Sequence, residues 1–150
     1  MTTASKKQSA RQILEQKRAG HALEMVHETG KKYKEGTENR KSFVSYVESL
    51  PASIINNGLG QAAATLLAQA NGKKDDPHRV LYSILEDWLC RDDQAAPYKR
   101  VNTDAPLMEA IVNGDRFSYI KAQVEALSYL EWLKKFTVAF LKEPVKKDGR

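Results

Sequence analysis

Apolar positions recur three and four residues apart through most of this chain, and short polar stretches punctuate them. Between Gln8 and about Gly30, Ala19, Ala22, Leu23 and Val26 follow the i, i+3, i+4, i+7 template of one helix face, behind Ile13 and Leu14. The lysine-rich GKKYKEGTENRK reads as a loop. RKSFVSYVESL predicts a short helix with Phe43, Val44 and Val47 on one side. Pro51 fits the first turn of a new helix, where its missing N–H costs nothing. Ile55, Leu59, Ala62 and Leu66 keep helical spacing from there to Gly72, a natural stop.

Asp76-Pro77 is an N-cap followed by a proline at the first helical position, and the helix it opens carries Val80, Leu81, Ile84, Leu85 and Trp88. DDQAAPYKRVNTDAP reads as a loop. Thr103 or Asp104, ahead of Pro106, opens a short helix that Gly114 closes, and Asp115 caps the longest segment, Arg116 to about Lys142. No period-2 run of β-branched residues persists. The pattern predicts an all-α protein: a single compact bundle of about six helices over 1–150, with a long C-terminal helix, no sheet, and flexible tails at 1–7 and 143–150.

Composition narrows the class. The chain has 150 residues, 41% hydrophobic and 29% charged, which suits a globular domain able to bury a core without staples. A single cysteine, Cys90, closes no intrachain disulfide and belongs to no metal framework. The N-terminus lacks an apolar leader, and no run reaches the roughly 18 apolar residues a bilayer span needs. The expectation is an intracellular, cytoplasmic protein without membrane contact, cofactor or metal.

One string invites a different reading. SIINNGLGQAAATLL contains G-x-G-x-x-A at Gly58, Gly60 and Ala63. A dinucleotide fingerprint needs a strand before it, a βαβ unit around it and an acid about 20 residues on. Here helical spacing runs through both glycines. Each glycine inside a helix costs about 1 kcal/mol relative to alanine, so Gly58 and Gly60 are read as helix-packing positions where another segment approaches the backbone.

Catalytic chemistry is not flagged. His21 and His27 are six apart, about 120° from alignment on a helix, so they make no metal pair; His78 stands alone. The cations say more, with 24 Lys plus Arg against 19 Asp plus Glu and a formal charge of +5. Arg11 and Arg18 fall within about 20° of one another on a helix, and Lys6 and Lys17 make a second pair on a different face. Lys31, Lys32, Lys34, Arg40 and Lys41 surround one loop with Tyr33 among them. Lys121, Ser128, Lys135 and Lys142 form a heptad-spaced row beside Lys134, near Tyr129, Trp132 and Phe136. Cationic faces near aromatics suit the phosphate backbone and unpaired bases of a nucleic acid; solvated lysines and core aromatics are the plainer alternative. The last helix is apolar around most of its circumference, so it is either fully surrounded by the bundle or meets another protein.

Two stretches carry a family resemblance. RKSFVSYVESLPASIINNGLGQAAATLL resembles a pattern of an aromatic-bearing helix, "LP", an isoleucine pair and "NGLGQ", and QVEALSYLEWLKKF resembles "EAL-x-YL-x-WLK(R)F". Both belong to the small helical subunit of the Cmr-type (type III-B) CRISPR RNA-guided effector complex. Thr137 stands where alanine is common, Lys135 where arginine is, and Glu131 where asparagine is.

The resemblance, from about Arg11 to Phe140, implies a non-catalytic antiviral-defence subunit. Copies of it would stack along a backbone filament beside other Cmr subunits and contact guide RNA and target RNA. Charge then selects Arg11, Lys17, Arg18, Lys41, Lys121, Lys134 and Lys135 as phosphate contacts. The alternative is a helical protein–protein adaptor without direct RNA contact, in which Trp132 and its apolar neighbours face the partner.

Overall fold

The computed structural model describes residues 9–145. Residues 1–7 and 146–150 of the expected tails, and Lys6, lie outside the described residues. The start of the C-terminal tail is tied down: Gly36 donates its amide to the Glu143 carboxylate.

Six helices follow in order: α1 (Ala10–Lys32), α2 (Glu38–Asn57), α3 (Leu59–Ala70), α4 (Pro77–Leu89), α5 (Pro106–Asn113) and α6 (Arg116–Phe140). They form a compact all-α bundle with a long last helix; among the described residues there is no strand, only an isolated bridge between Cys90 and Tyr98. Local chemistry sets several starts. Ser9 accepts from the Gln12 amide while the Gln12 side chain accepts from the Ser9 amide, a reciprocal capping box. Thr37, Asp76 and Asp115 cap α2, α4 and α6 through their side-chain oxygens.

Three boundaries differ from expectation. Pro51 does not begin a helix; α2 runs through it, because Phe43, Val44, Val47, Leu50 and Ile54 form one continuous buried face on both sides of it. That burial outweighs the roughly 3 kcal/mol cost of an interior proline. The break comes instead at Gly58, whose φ of +86° is open to glycine and strained for other residues. Helix α5 is preceded by Ala105 without a side-chain cap, neither Thr103 nor Asp104 serving; the Glu86 carboxylate of α4 accepts from the Leu107 amide at 3.1 Å instead. Helix α6 ends at Phe140, not Lys142.

The core gathers around one face of α6. Ala122, Ala126, Tyr129, Leu130 and Leu133 are buried there against α1 and α2, with Leu81, Leu85 and Trp88 of α4 joining from behind. Contacts along α1 and α6 rise together, His21 meeting Tyr129 and His27 meeting Phe140, so the two helices run side by side in one direction. Helix α6 is not fully surrounded. Phe117 is 78% exposed, Ile120 50% and Val124 60%, an outward stripe at helical spacing.

Candidate nucleic-acid interface

The cations selected from the sequence meet different fates. Arg11, on the first turns of α1, and Lys121, Lys134 and Lys135, on the outer surface of α6, are exposed and carry no ion-pair partner among the described residues. Lys121 and Lys135 share a flank of α6; Lys134 lies on the other side of Glu131. The row expected to continue to Lys142 stops short, since Lys142 lies beyond the helix and binds Glu48 at 3.0 Å.

Lys17 reaches Asp93 at 3.3 Å and Lys41 lies 3.8 Å from Glu38, both pairs solvent-exposed at the lysine. Such pairs are worth about 0–1 kcal/mol and leave the charge available. Lys41 stands far from Arg11, beside Leu141 in the groove where α2 begins.

Arg18 is spent inside the fold. Its guanidinium makes a two-point contact to Glu125 at 2.7 and 2.8 Å and a third to Glu15 at 2.5 Å, with only 13% of the side chain exposed. The Glu125 hydrogen bonds, first, and the Glu15 bond raise its pKa against the opposing effect of burial. Glu15 is held below the ordinary glutamate range chiefly by Arg18. Glu125 also accepts from the indole N–H of Trp88, and Glu15 from that of Trp132. The result is a hydrogen-bonded run from the core to the α1–α6 surface.

The glycines lie where α3 meets α6. With no side chain at Gly58 to cap α3, α6 supplies the acceptors: Gln123 Oε1 takes the Leu59 amide at 3.0 Å and the Tyr119 hydroxyl takes the Gly60 amide at 3.1 Å. A Cβ at Gly58 would stand 2.9 Å from that hydroxyl, whereas one at Gly60 would make ordinary contacts at 3.5 Å and beyond.

The remaining polar chemistry is built into packing. His21 bonds the Tyr129 hydroxyl at 2.5 Å and Asp87 at 2.7 Å, but Tyr129 is 0% exposed and its hydroxyl is shut in the core. His78 bonds Asp76, the cap of α4, and stacks on Tyr46. Burial pushes the Cys90 thiol up to about 12. Among the described residues no group of three or more metal-binding side chains comes together, and no helix is long and apolar enough to cross a membrane.

Two features escaped the sequence reading. Lys73 and Lys74, in the α3–α4 turn, stand beside the C-terminal end of α1, where Lys32 pairs with Asp75 at 2.7 Å and Tyr33 donates to the Asp75 carbonyl. The run GKKDDP shows these charges, but nothing in it says that the turn folds against α1. Gln12 and Gln16 line a groove with Arg11 and Trp132, a grouping that depends on which face of α1 meets α6.

Fold and surface together define a small helical bundle that presents cations and an apolar stripe outward while His21, His78, the cysteine and most buried polar groups serve the interior. The family model described as CRISPR-associated protein (Cas_Cmr5) matches residues 14–140. The chain therefore belongs to that family, a CRISPR-associated Cmr subunit family of type III-B. Membership brings association with other Cmr subunits, and it agrees with the resemblance carried by NGLGQ and EALSYLEWLKKF.

Proposed function

We propose that the chain is a non-catalytic subunit of a type III-B CRISPR ribonucleoprotein effector. It stacks in several copies along the backbone filament in antiviral defence and contacts guide and target RNA through its basic surfaces. The observation that carries this is the open set of Arg11, Lys121, Lys134 and Lys135, exposed and unpaired among the described residues, in a chain of formal charge +5. Cations without acidic partners neutralise phosphates at no cost in broken ion pairs, and they read backbone shape rather than sequence. Lys17 and Lys41 join them through weak, exposed pairs. Arg18 stays outside the contact set because its guanidinium is occupied.

The test is the salt dependence of RNA binding by effector assembled with this chain. Changing Arg11, Lys121, Lys134 and Lys135 to glutamate lowers the slope of log affinity against log salt by about 0.7–0.9 for each phosphate no longer neutralised. An unchanged slope in a folded, assembled variant removes the assignment.

A second reading is favoured by the Phe117, Ile120 and Val124 stripe: a protein–protein adaptor whose lysines only solubilise it. Charge-reversed protein that still assembles but no longer binds RNA rules this out.

A further inference from the structure

The two tryptophans are placed differently. Trp88 is 3% exposed, stacked on Tyr129 with centroids 5.1 Å apart and covered by the Arg91 guanidinium at 3.6 Å. Trp132 lines a groove of about 380 Å³ between α1 and α6, with Arg11, Gln12, Glu15, Gln16 and Ala19. That lies in the ~300–1,000 Å³ range of small-molecule sites.

We propose that this groove is a stacking site for an unpaired nucleobase of single-stranded RNA. The inference rests on the RNA-contact reading above and gives that contact a specific seat. The indole is oriented in advance: its N–H donates to Glu15 at 3.2 Å, and Phe136 backs it with centroids 5.7 Å apart. Ala19 keeps the α1 wall low at the position one turn beyond Gln16.

Gln12 and Gln16 lie four residues apart on the groove side of α1. The Gln12 carbonyl oxygen accepts from Ser9 in the capping box, which leaves its NH₂ to donate to a base edge, and Gln16 offers both a donor and an acceptor. Amides of this kind serve any base, so the site discriminates strandedness more than sequence. Arg11 brings an unpaired cation to the rim for the adjoining phosphate. The one acid, Glu15, does not repel that phosphate strongly, since Arg18 sits on its carboxylate at 2.5 Å. A base within a duplex is already stacked and cannot enter.

The experiment compares RNA affinity of the assembled effector for a short unstructured single strand and for a blunt duplex of the same length. Trp132→Ala weakens single-strand binding by about 5- to 150-fold, the range for removal of one stacked base, and leaves duplex binding unchanged. Trp132→Phe guards against a folding defect: it keeps most of the affinity and abolishes the quenching of tryptophan emission that single-stranded RNA produces in the parent protein. Equal affinity of parent and Trp132→Ala for the single strand overturns the stacking site and leaves the cationic reading standing. Failure of subunit assembly with RNA affinity retained also overturns it, assigning the groove to a protein side chain. Failure of the parent protein to bind either RNA removes this inference and the reading beneath it together.

Discussion

Arg18 and Arg11 look like twins along the sequence, seven residues apart on one helix, yet the fold uses them in opposite ways. Spacing says which direction a side chain takes; it does not say what waits there. For Arg18 the answer is Glu125, 107 residues away, set by the packing of α1 on α6. Both side chains are largely buried, so removing either leaves a desolvated charge. Arg18→Ala or Glu125→Ala is expected to cost about 3–5 kcal/mol, measured as a fall in the urea midpoint, whereas replacing both by apolar residues of similar volume recovers most of that stability. A cost below about 1 kcal/mol for Arg18→Ala would show that the pair is solvent-screened and the arginine free for other work. Arg11, without such a partner, is legible as a surface cation from the same spacing argument. Its neighbour Trp132 is not, because an aromatic at core spacing and one lining a groove read identically until α1 is laid beside α6.

Elements begin and end where helical order and tertiary partners agree. Starts coded by the nearest side chain, at Asp76 and Asp115, are readable directly. Those coded by distant ones are not: α3 borrows its acceptors from Tyr119 and Gln123, and α5 borrows Glu86. Pro51 misleads for a related reason, its local preference for a first turn losing to a buried face that spans it. The two glycines separate local from tertiary demands. Gly58→Ala combines a positive φ with a 2.9 Å approach to the Tyr119 hydroxyl and is expected to destabilise by more than about 1 kcal/mol. Gly60→Ala meets ordinary contacts within a helix and is expected to be neutral or stabilising by up to about 1 kcal/mol. Thermal denaturation of the pair distinguishes this from a shared packing role, which predicts equal destabilisation.

Over the whole molecule, charge acts on stability as well as on partners. Four carboxylates are held below their ordinary range: Glu15 chiefly by Arg18, Asp75 chiefly by Lys32, Asp93 chiefly by the Ala95 amide and Asp115 chiefly by the Ser118 amide. Each folded pKa lies below its unfolded value of about 4, so the unfolded chain binds more protons in acid. The stabilisation they lend is therefore present above about pH 4 and disappears as pH falls through the folded values. The urea midpoint should decline steadily below about pH 4, and Asp93→Asn should make that decline shallower. A midpoint independent of pH between about 4 and 2 would contradict this. The all-helical architecture is open to inspection because its signal is periodic and repeated along the chain. The arrangement of its cations is not, since where those of α1, α2, α6 and the α3–α4 turn stand relative to one another depends on how the helices pack.

Arg40 sits at the junction of the first, second and last of the described helices. From the first turns of α2 it donates to the carbonyls of Tyr33, Phe140 and Leu141, and so joins the exit of α1 to the end of α6. Helices α1 and α2 both pack on α6, the last helix among the described residues. A growing polypeptide that has not yet emerged past Leu141 can pack α2 on α3 and α4 but lacks the main partner of α1. Chains truncated before α6 expose the faces of α1 and α2 that pack on it to aggregation and proteolysis.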